Sequence, residues 1–176
     1  MTKFGFKEIT PSNWLERDEV LKGFVAMSPD GHFHTITGEE YLRHILKPRL
    51  LESVPTDVQA LFEVARGGMA YGYFFYPLYT LAAEQLFRVV EAAVAHRCKA
   101  SGMPRGTFEK RVDWLVEGGV IPRAESARWH AARDLRNAAS HPKRQMILTP
   151  GNAIGMLERI ADDLNSLFSD GLAHSD

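Results

Sequence analysis

From Pro55 onward, apolar residues recur at the three- and four-residue spacing of a helix that buries one face. The first such stripe consists of Val58, Leu61, Phe62 and Ala65. Gly67-Gly68 follows it directly, and glycine is common just beyond the end of a helix. The pattern therefore predicts a helix that stops at this glycine pair.

The longest predicted helix begins near Pro77 and runs to about Ala100, ahead of Gly102 and Pro104. Its apolar stripe consists of Leu78, Leu81, Ala82, Leu86, Val89, Val90 and Ala93. A shorter helix follows, built on Phe108, Val112, Leu115 and Val116 and ending at Gly118-Gly119.

Two further helices complete this half of the chain. One is expected from about Arg123 to His141, because Pro142 disfavours helical geometry in the residue before it. The other opens at Thr149-Pro150, where a capping threonine precedes a first-turn proline. Its buried positions are Ala153, Met156, Leu157, Ile160, Leu164, Leu167 and Phe168.

The first third of the chain reads as mostly irregular. Thr10-Pro11 indicates a short helical piece that carries Trp14 and Leu15. Turn residues 28–31, between two segments rich in Val, Phe, Ile and Thr, predict a small β-hairpin within residues 24–37. The sequence Thr37-Gly-Glu-Glu40 is a capping box, so a short helix follows and ends before Pro48.

These elements predict a mainly α fold, an antiparallel helical bundle with an N-terminal extension of short helices and a possible hairpin. We expect the extension to be residues 1–70, packed on a helical domain of residues 71–170, with a disordered tail at 171–176. At 176 residues and 45% hydrophobic composition, one compact unit is the natural expectation.

Composition narrows the possible functions. The formal net charge is −1, which argues against a protein coated in positive charge for bulk nucleic-acid binding. Cys98 is the single cysteine, so no internal disulfide and no zinc-ligand pattern is expected. Residues 1–13 lack the apolar core of a signal peptide, and the most apolar stretch, 69–83, is shorter than the ~20 residues of a membrane span. We therefore expect a cytoplasmic protein without a cofactor or membrane association.

Positive charge is concentrated in one segment. Residues 123–144 hold six basic side chains against the two acids Glu125 and Asp134. The basic residues are Arg123, Arg128, Arg133, Arg136, Lys143 and Arg144. A solvated helix face explains this charge equally well from composition alone. The pair Arg136 and His141 favours a functional site over a solvated face. The two residues lie ~140° apart around the helix, but a long Arg side chain and a His in the last helical turn can converge on one ligand.

The segment Leu135-Arg-Asn-Ala-Ala-Ser-His-Pro142 resembles the R-x-x-x-x-H signature, in its R-N-x-x-x-H form, of the HEPN superfamily. Residues 82–91 resemble the first long helix of HEPN domains of the DUF4145-like kind. Residues 108–112 and 115–121 resemble the short helix and turn before the motif helix. The resemblance covers roughly residues 73–168.

The resemblance implies a metal-independent endoribonuclease, often a homodimer with both motifs lining one cleft, and of toxin or antiviral-defence type. His141 would be the general base or acid, Arg136 would grip the phosphate and stabilise the transition state, and Asn137 would position the backbone or a phosphate oxygen. Supporting residues on the long helix would be Glu91, which best matches an Arg-x-x-Glu pattern with Arg88, and Glu84, two turns earlier on the same face. Which carboxylate faces the motif stays open. Contacts to RNA are expected from Arg133, Lys143 and Arg144.

The alternative is a HEPN module that has no catalytic activity and serves in dimerisation or in RNA or nucleotide binding. An intact motif favours the enzyme, whereas near-neutral charge and the 70 additional residues favour the module. Either class allows a protein partner, such as a neutralising antitoxin.

Three other features have simpler interpretations. The aromatic cluster at positions 71, 73–76 and 79 resembles a base-stacking surface, but core or dimer packing is favoured because it abuts the apolar helix. His32 and His34 share one face of a predicted strand; without a third ligand we expect a surface hairpin rather than a metal site. Cys98 is expected to be a buried or inert thiol.

Overall fold

The computed structural model describes residues 6–103, 105–131 and 148–169 of the chain. The fold is mainly helical, as predicted. It contains the antiparallel strands β1 (Val25–Met27) and β2 (Phe33–Thr35), and the helices α1 (Gly38–Leu46), α2 (Thr56–Tyr71), α3 (Leu78–Ala100), α4 (Phe108–Glu117), α5 (described over residues 126–131) and α6 (Pro150–Leu167). Short 3₁₀ segments lie at Glu19–Gly23 and Arg123–Glu125.

Helix α3 is the centre of the bundle and packs against α2, α4 and α6. Its fully buried side chains include Leu86, Val89 and Val94, and α6 contributes Leu157 and Leu164 to the same core. Each buried aliphatic side chain contributes about 1.5–3 kcal/mol relative to its exposure to water. The predicted stripes are therefore confirmed as buried faces for most of their positions. Leu81 is the exception: it is 57% exposed, because it lies about 100° around α3 from Ala82 and its neighbours on the buried face.

Side-chain caps confirm the predicted starts of α1 and α6, and a third cap, at Thr107, begins α4. The hydroxyl oxygens of Thr37, Thr107 and Thr149 accept hydrogen bonds from backbone N–H groups at the starts of α1, α4 and α6, at 3.1, 3.4 and 3.3 Å. Pro150 occupies the first turn of α6. A capping oxygen satisfies one of the donors that a helix start leaves unpaired, so these threonines fix where the helices begin.

The predicted stop of α2 at Gly67-Gly68 is wrong. The helix continues to Tyr71, and neither glycine has the positive φ of a helix-terminating residue. The stripe continues instead to the fully buried Met69. A Cβ built on Gly68 would lie 3.2 Å from the Ala82 Cβ, so this glycine lets α2 and α3 approach closely.

The hairpin prediction is confirmed, with Ala26 opposite His34 in the antiparallel register. At Thr10-Pro11 the chain forms hydrogen-bonded turns rather than a regular helix, and Trp14 and Leu15 are exposed. The side chain of Asn13 competes with helical hydrogen bonding of the backbone, because its Oδ1 accepts a hydrogen bond from the Thr10 N–H at 2.8 Å.

The N-terminal segment is bonded to the aromatic turn between α2 and α3. Buried Asp18 accepts from Tyr76 N at 2.8 Å, and its own N–H donates to Tyr73 O at 3.0 Å. The Lys7 ammonium donates to the Phe74 carbonyl at 3.2 Å. The turn at residues 73–76 is therefore hydrogen-bonded to Lys7 and Asp18, which lie far from it in the sequence.

Candidate functional site

The predicted catalytic motif lies outside the described residues. This holds for Arg136, Asn137 and His141, and for the predicted RNA contacts Arg133, Lys143 and Arg144. The structure therefore describes the surroundings in which the motif-bearing segment begins and ends, together with the supporting residues on α3.

Helix α5 begins beside the middle of α3. Trp129 is 5% exposed, and it lines a cavity together with Phe87 and Val90 of α3. On the far side of the motif, the Leu148 carbonyl accepts a hydrogen bond from the Tyr76 hydroxyl at 2.7 Å. The segment is thus anchored near the middle of α3 at one end and just before the start of α3 at the other.

The three supporting residues lie on one side of α3. Glu84, Arg88 and Glu91 are spaced at i, i+4 and i+7, which places them on a single stripe. Arg88 is exposed, whereas Glu84 and Glu91 are half-buried. The stripe runs next to the Phe87 and Val90 positions that border Trp129. Glu84 therefore lies on α3 between Tyr76 and Phe87, the positions of the two anchors. Glu91 lies directly after Val90.

A pair of ionic contacts fixes the first turn of α5. The Arg128 guanidinium lies 2.6 Å from a Glu125 carboxylate oxygen and 2.8 Å from Asp163 Oδ1 on α6. Burial raises the pKa of Asp163 above the usual aspartate value, and the positive charge of Arg128 opposes part of that rise. One of the six basic residues of the segment is therefore engaged by acids of the fold.

A second contact on α5 joins it to α4. His130 Nε2 lies 3.1 Å from Asp113 Oδ1, with both side chains partly exposed. Neither His130 nor Asp113 belongs to a motif or spacing that marks a functional site in the sequence, and the same holds for Trp129 and Asp163. Their contacts connect positions 17 or more residues apart, and no local spacing indicates them.

The aromatic cluster is partly core, as the favoured interpretation predicts. Tyr79 is fully buried and Tyr71 is 62% exposed. Tyr73 stacks on Tyr41 with ring centroids 5.8 Å apart. A second cavity of about 440 Å³ opens beside them, lined by Gly38, Glu39, Tyr41, Leu42, Ala70, Tyr71, Tyr73 and Phe74. The cluster therefore combines a buried core with an accessible aromatic wall.

The remaining candidates have structural contacts. His34 is held between the Ser28 hydroxyl at 3.1 Å and the Glu40 carboxylate at 3.0 Å. This hydrogen bond with His34 lowers the pKa of Glu40, and a backbone hydrogen bond with Thr37 adds to the effect. Cys98 is buried, as predicted, and burial raises the pKa of its thiol.

Within the described ranges, no three His, Cys, Asp or Glu side chains lie close enough together to hold a metal ion. None of the helices in these ranges combines the length and apolarity needed to cross a lipid bilayer.

The described residues form a small helical domain in which α5 begins against α3, the longest helix, and the sequence from Arg123 to Arg144 is basic and contains the predicted motif. Residues 69–168 match the model of the family described as a domain of unknown function, DUF4145. The chain therefore belongs to the DUF4145 family, which confirms the family resemblance at that level. No curated protein and no solved structure matches the chain.

Proposed function

We propose that the chain is a HEPN-type, metal-independent endoribonuclease of the toxin or antiviral-defence kind, with Arg136, Asn137 and His141 at its catalytic centre. The observation that carries the proposal is the R-N-x-x-x-H sequence on a segment that starts as helix α5 against the middle of α3. Membership of the DUF4145 family agrees with it at the level of the domain.

The chemistry requires a base, an acid and fixed positive charge. His141 takes the proton of a ribose 2′-hydroxyl, whose oxygen attacks the adjacent phosphorus. The bond from phosphorus to the 5′ oxygen breaks, and the protonated imidazole returns the proton to that oxygen. Arg136 stabilises the negative charge of the transition state with two parallel N–H donors, and Asn137 orients the phosphate. The products are a 2′,3′-cyclic phosphate and a 5′-hydroxyl.

Two features of the described residues support this proposal. The half-buried carboxylates of Glu84 and Glu91 lie on the stripe of α3 next to Phe87 and Val90, which border Trp129 of α5, and one of these carboxylates orients Arg136 or tunes His141 in the proposed centre. Since Arg128 is held by Glu125 and Asp163, the RNA contacts come from Arg133, Lys143 and Arg144. These side chains give local attraction for phosphate although the whole chain has a net charge of −1.

The second candidate is a module without catalytic activity that binds RNA or nucleotides. The observation in its favour is the aromatic cavity of about 440 Å³, since exposed aromatic rings stack on bases. This cavity does not require His141. Binding that survives the loss of His141 in a protein that never cleaves RNA would favour this candidate.

The first experiment measures RNA cleavage in EDTA by wild-type protein and by the His141→Ala variant. The matched control is His44→Ala, because His44 is an exposed residue in the last turn of α1. We expect His141→Ala to lower cleavage by roughly 10²-fold or more, the usual contribution of a positioned acid or base, and His44→Ala to leave it unchanged. Equal loss in both variants, or cleavage products without cyclic phosphate ends, would reject the proposal.

Parallel variants decide which carboxylate supports the motif. Glu84→Gln and Glu91→Gln keep the side-chain size and remove the charge. The residue that tunes His141 should shift the pH profile of cleavage when neutralised, whereas the other should not. An unshifted profile in both variants would remove the carboxylate from the mechanism.

We also propose that the protein acts as a homodimer, with a protein partner such as an antitoxin as its regulator. The exposed part of the aromatic cluster, including Tyr71, supplies apolar surface for pairing. Light scattering at tens of micromolar, on the order of ordinary oligomer affinities, should give twice the chain mass. A monomer mass at this concentration would contradict dimerisation.

A further inference from the structure

A small cavity lies at the junction of α3, α5 and α6. Its volume is about 120 Å³. Five apolar side chains and three charged ones line it: Phe87, Val90, Trp129, Met156, Ile160, Arg128, Arg159 and Asp163. The cavity therefore combines apolar walls with a charged edge, which is the usual composition of a small-molecule site.

The polar edge offers both donors and an acceptor. Trp129 Nε1 is buried and has no hydrogen-bond partner among the described residues. Because this atom has almost no surface that a water-sized group can reach, the ring of Trp129, and not its N–H, forms part of the cavity wall. Arg159 adds a guanidinium, and Asp163 adds a carboxylate that is held by Arg128 at 2.8 Å. The edge is thus suited to a ligand that both accepts and donates hydrogen bonds.

The volume limits the ligand to about one six-membered ring. An apolar protein cavity of about 150 Å³ holds benzene, so a partly open cavity of 120 Å³ suits a single ring whose substituent extends into solvent. A fused purine bicycle exceeds this volume, so the cavity encloses a pyrimidine ring more completely. Pyrimidine bases have the required size, flat faces that stack on Trp and Phe side chains, and an edge with a carbonyl acceptor and an N–H donor.

The location also fits a nucleotide of the substrate. Trp129 precedes Arg136 by seven positions in the sequence, so the cavity adjoins the segment that carries the catalytic motif. Substrate preference would then follow from the cavity rather than from the motif.

Resting on the proposed function, we infer that the cavity between α3, α5 and α6 binds a pyrimidine base of the RNA substrate, with Asp163 accepting from its N–H edge and Arg159 donating to its carbonyl. This assigns the base preference of the enzyme to residues outside the R-N-x-x-x-H motif. An ordered water in the same cavity is the competing explanation, and the binding measurements decide between them.

The test is calorimetric titration of the wild-type protein with CMP, UMP, AMP and GMP. CMP or UMP should bind more tightly than either purine nucleotide. Asp163→Asn should weaken this binding roughly tenfold or more, as expected for loss of a charged hydrogen-bond acceptor. The matched control is Asp162→Asn, an exposed neighbour outside the cavity, which should bind like wild type. Pyrimidines that bind no better than purines, or equal effects of the two variants, would overturn the inference.

A second variant distinguishes loss of ligand binding from loss of the folded state. Met156→Phe adds volume to the wall of the cavity, so it should abolish pyrimidine binding while thermal unfolding stays cooperative. Loss of cooperative unfolding in Met156→Phe leaves Asp163→Asn, which keeps the side-chain size, as the deciding variant.

The two proposals fail in different ways. Pyrimidine binding without RNA cleavage rejects the ribonuclease and keeps the cavity. Cleavage with equal rates after purines and pyrimidines rejects the cavity and keeps the ribonuclease. His141→Ala should lose cleavage and keep pyrimidine binding.

Discussion

Arg128 Nη2 lies 2.8 Å from Asp163 Oδ1, so the first turn of α5 is joined to α6 by an ion pair with a partly buried acid. This contact fixes the entry of the motif-bearing segment and forms the charged edge of the small cavity. Because the two residues are on different helices, its strength depends on the packing of the bundle.

The pH dependence of stability should report on Asp163. Burial raises the pKa of its carboxyl above the value of about 3.9 that an aspartate has in an unfolded chain. The stabilising contribution of the bound proton is therefore complete below the unfolded pKa and is lost as the pH rises through the folded pKa. Since asparagine carries no charge, we expect the free energy of unfolding of Asp163→Asn to increase relative to that of wild type as the pH rises from the unfolded pKa through the folded pKa.

Urea unfolding at several pH values measures this difference. Asp162→Asn, which neutralises an exposed carboxylate one position away, provides the baseline. A difference between Asp163→Asn and wild type that decreases with rising pH would mean that the Arg128 charge, not burial, dominates the environment of Asp163.

Substitution by alanine should have opposite effects on stability at two glycines near the C-terminal end of α2, Gly67 and Gly72. Gly67 has open space around a built Cβ, so Gly67→Ala should raise the free energy of unfolding by about 0.5–1 kcal/mol. A Cβ on Gly72 would lie 2.9 Å from the Met69 carbonyl oxygen and from the Tyr79 ring. Gly72→Ala should therefore lower the free energy of unfolding by about 1–3 kcal/mol. Thermal unfolding of both variants tests the close packing at this turn, and a stabilising Gly72→Ala would contradict it.

The hydroxyl of Tyr76 should stabilise the entry to α6. It donates to the Leu148 carbonyl at 2.7 Å, and net contributions of such hydrogen bonds are about 1 kcal/mol. Tyr76→Phe should lower the free energy of unfolding by about this amount. The control is Tyr71→Phe, whose ring is exposed and whose change should be close to zero. Identical stabilities for the two variants would show that the Leu148 contact contributes nothing.

Local sequence signals were sufficient for most of the helical framework. Threonine caps, first-turn prolines and apolar stripes act within one or two turns, and they predicted the starts of α1 and α6 correctly. The Gly67-Gly68 prediction failed because a glycine pair has two uses. Here Gly68 serves close helix packing against Ala82, which is a tertiary contact that the local pattern does not contain.

The candidate site was predictable only in part. The stripe of Glu84, Arg88 and Glu91 follows from helical spacing alone, and the structure places these residues on one side of α3. The cavity beside Trp129 and the contact between Arg128 and Asp163 arise where three helices meet. Such contacts depend on the rotation of each helix about its axis, and composition does not determine that rotation.

The central claim is that Arg136 and His141 cleave RNA, and the most direct measurement is the cleavage rate of a labelled RNA in EDTA. The comparison is between wild type, the double variant Arg136→Ala/His141→Ala, and the control double variant Arg43→Ala/His44→Ala, which removes the same two side-chain types from exposed positions of α1. We expect the motif double variant to lose at least roughly 10²-fold in rate, while the control variant cleaves like wild type and leaves 2′,3′-cyclic phosphate ends. Equal degradation of the RNA by wild type and by the motif double variant would contradict the claim.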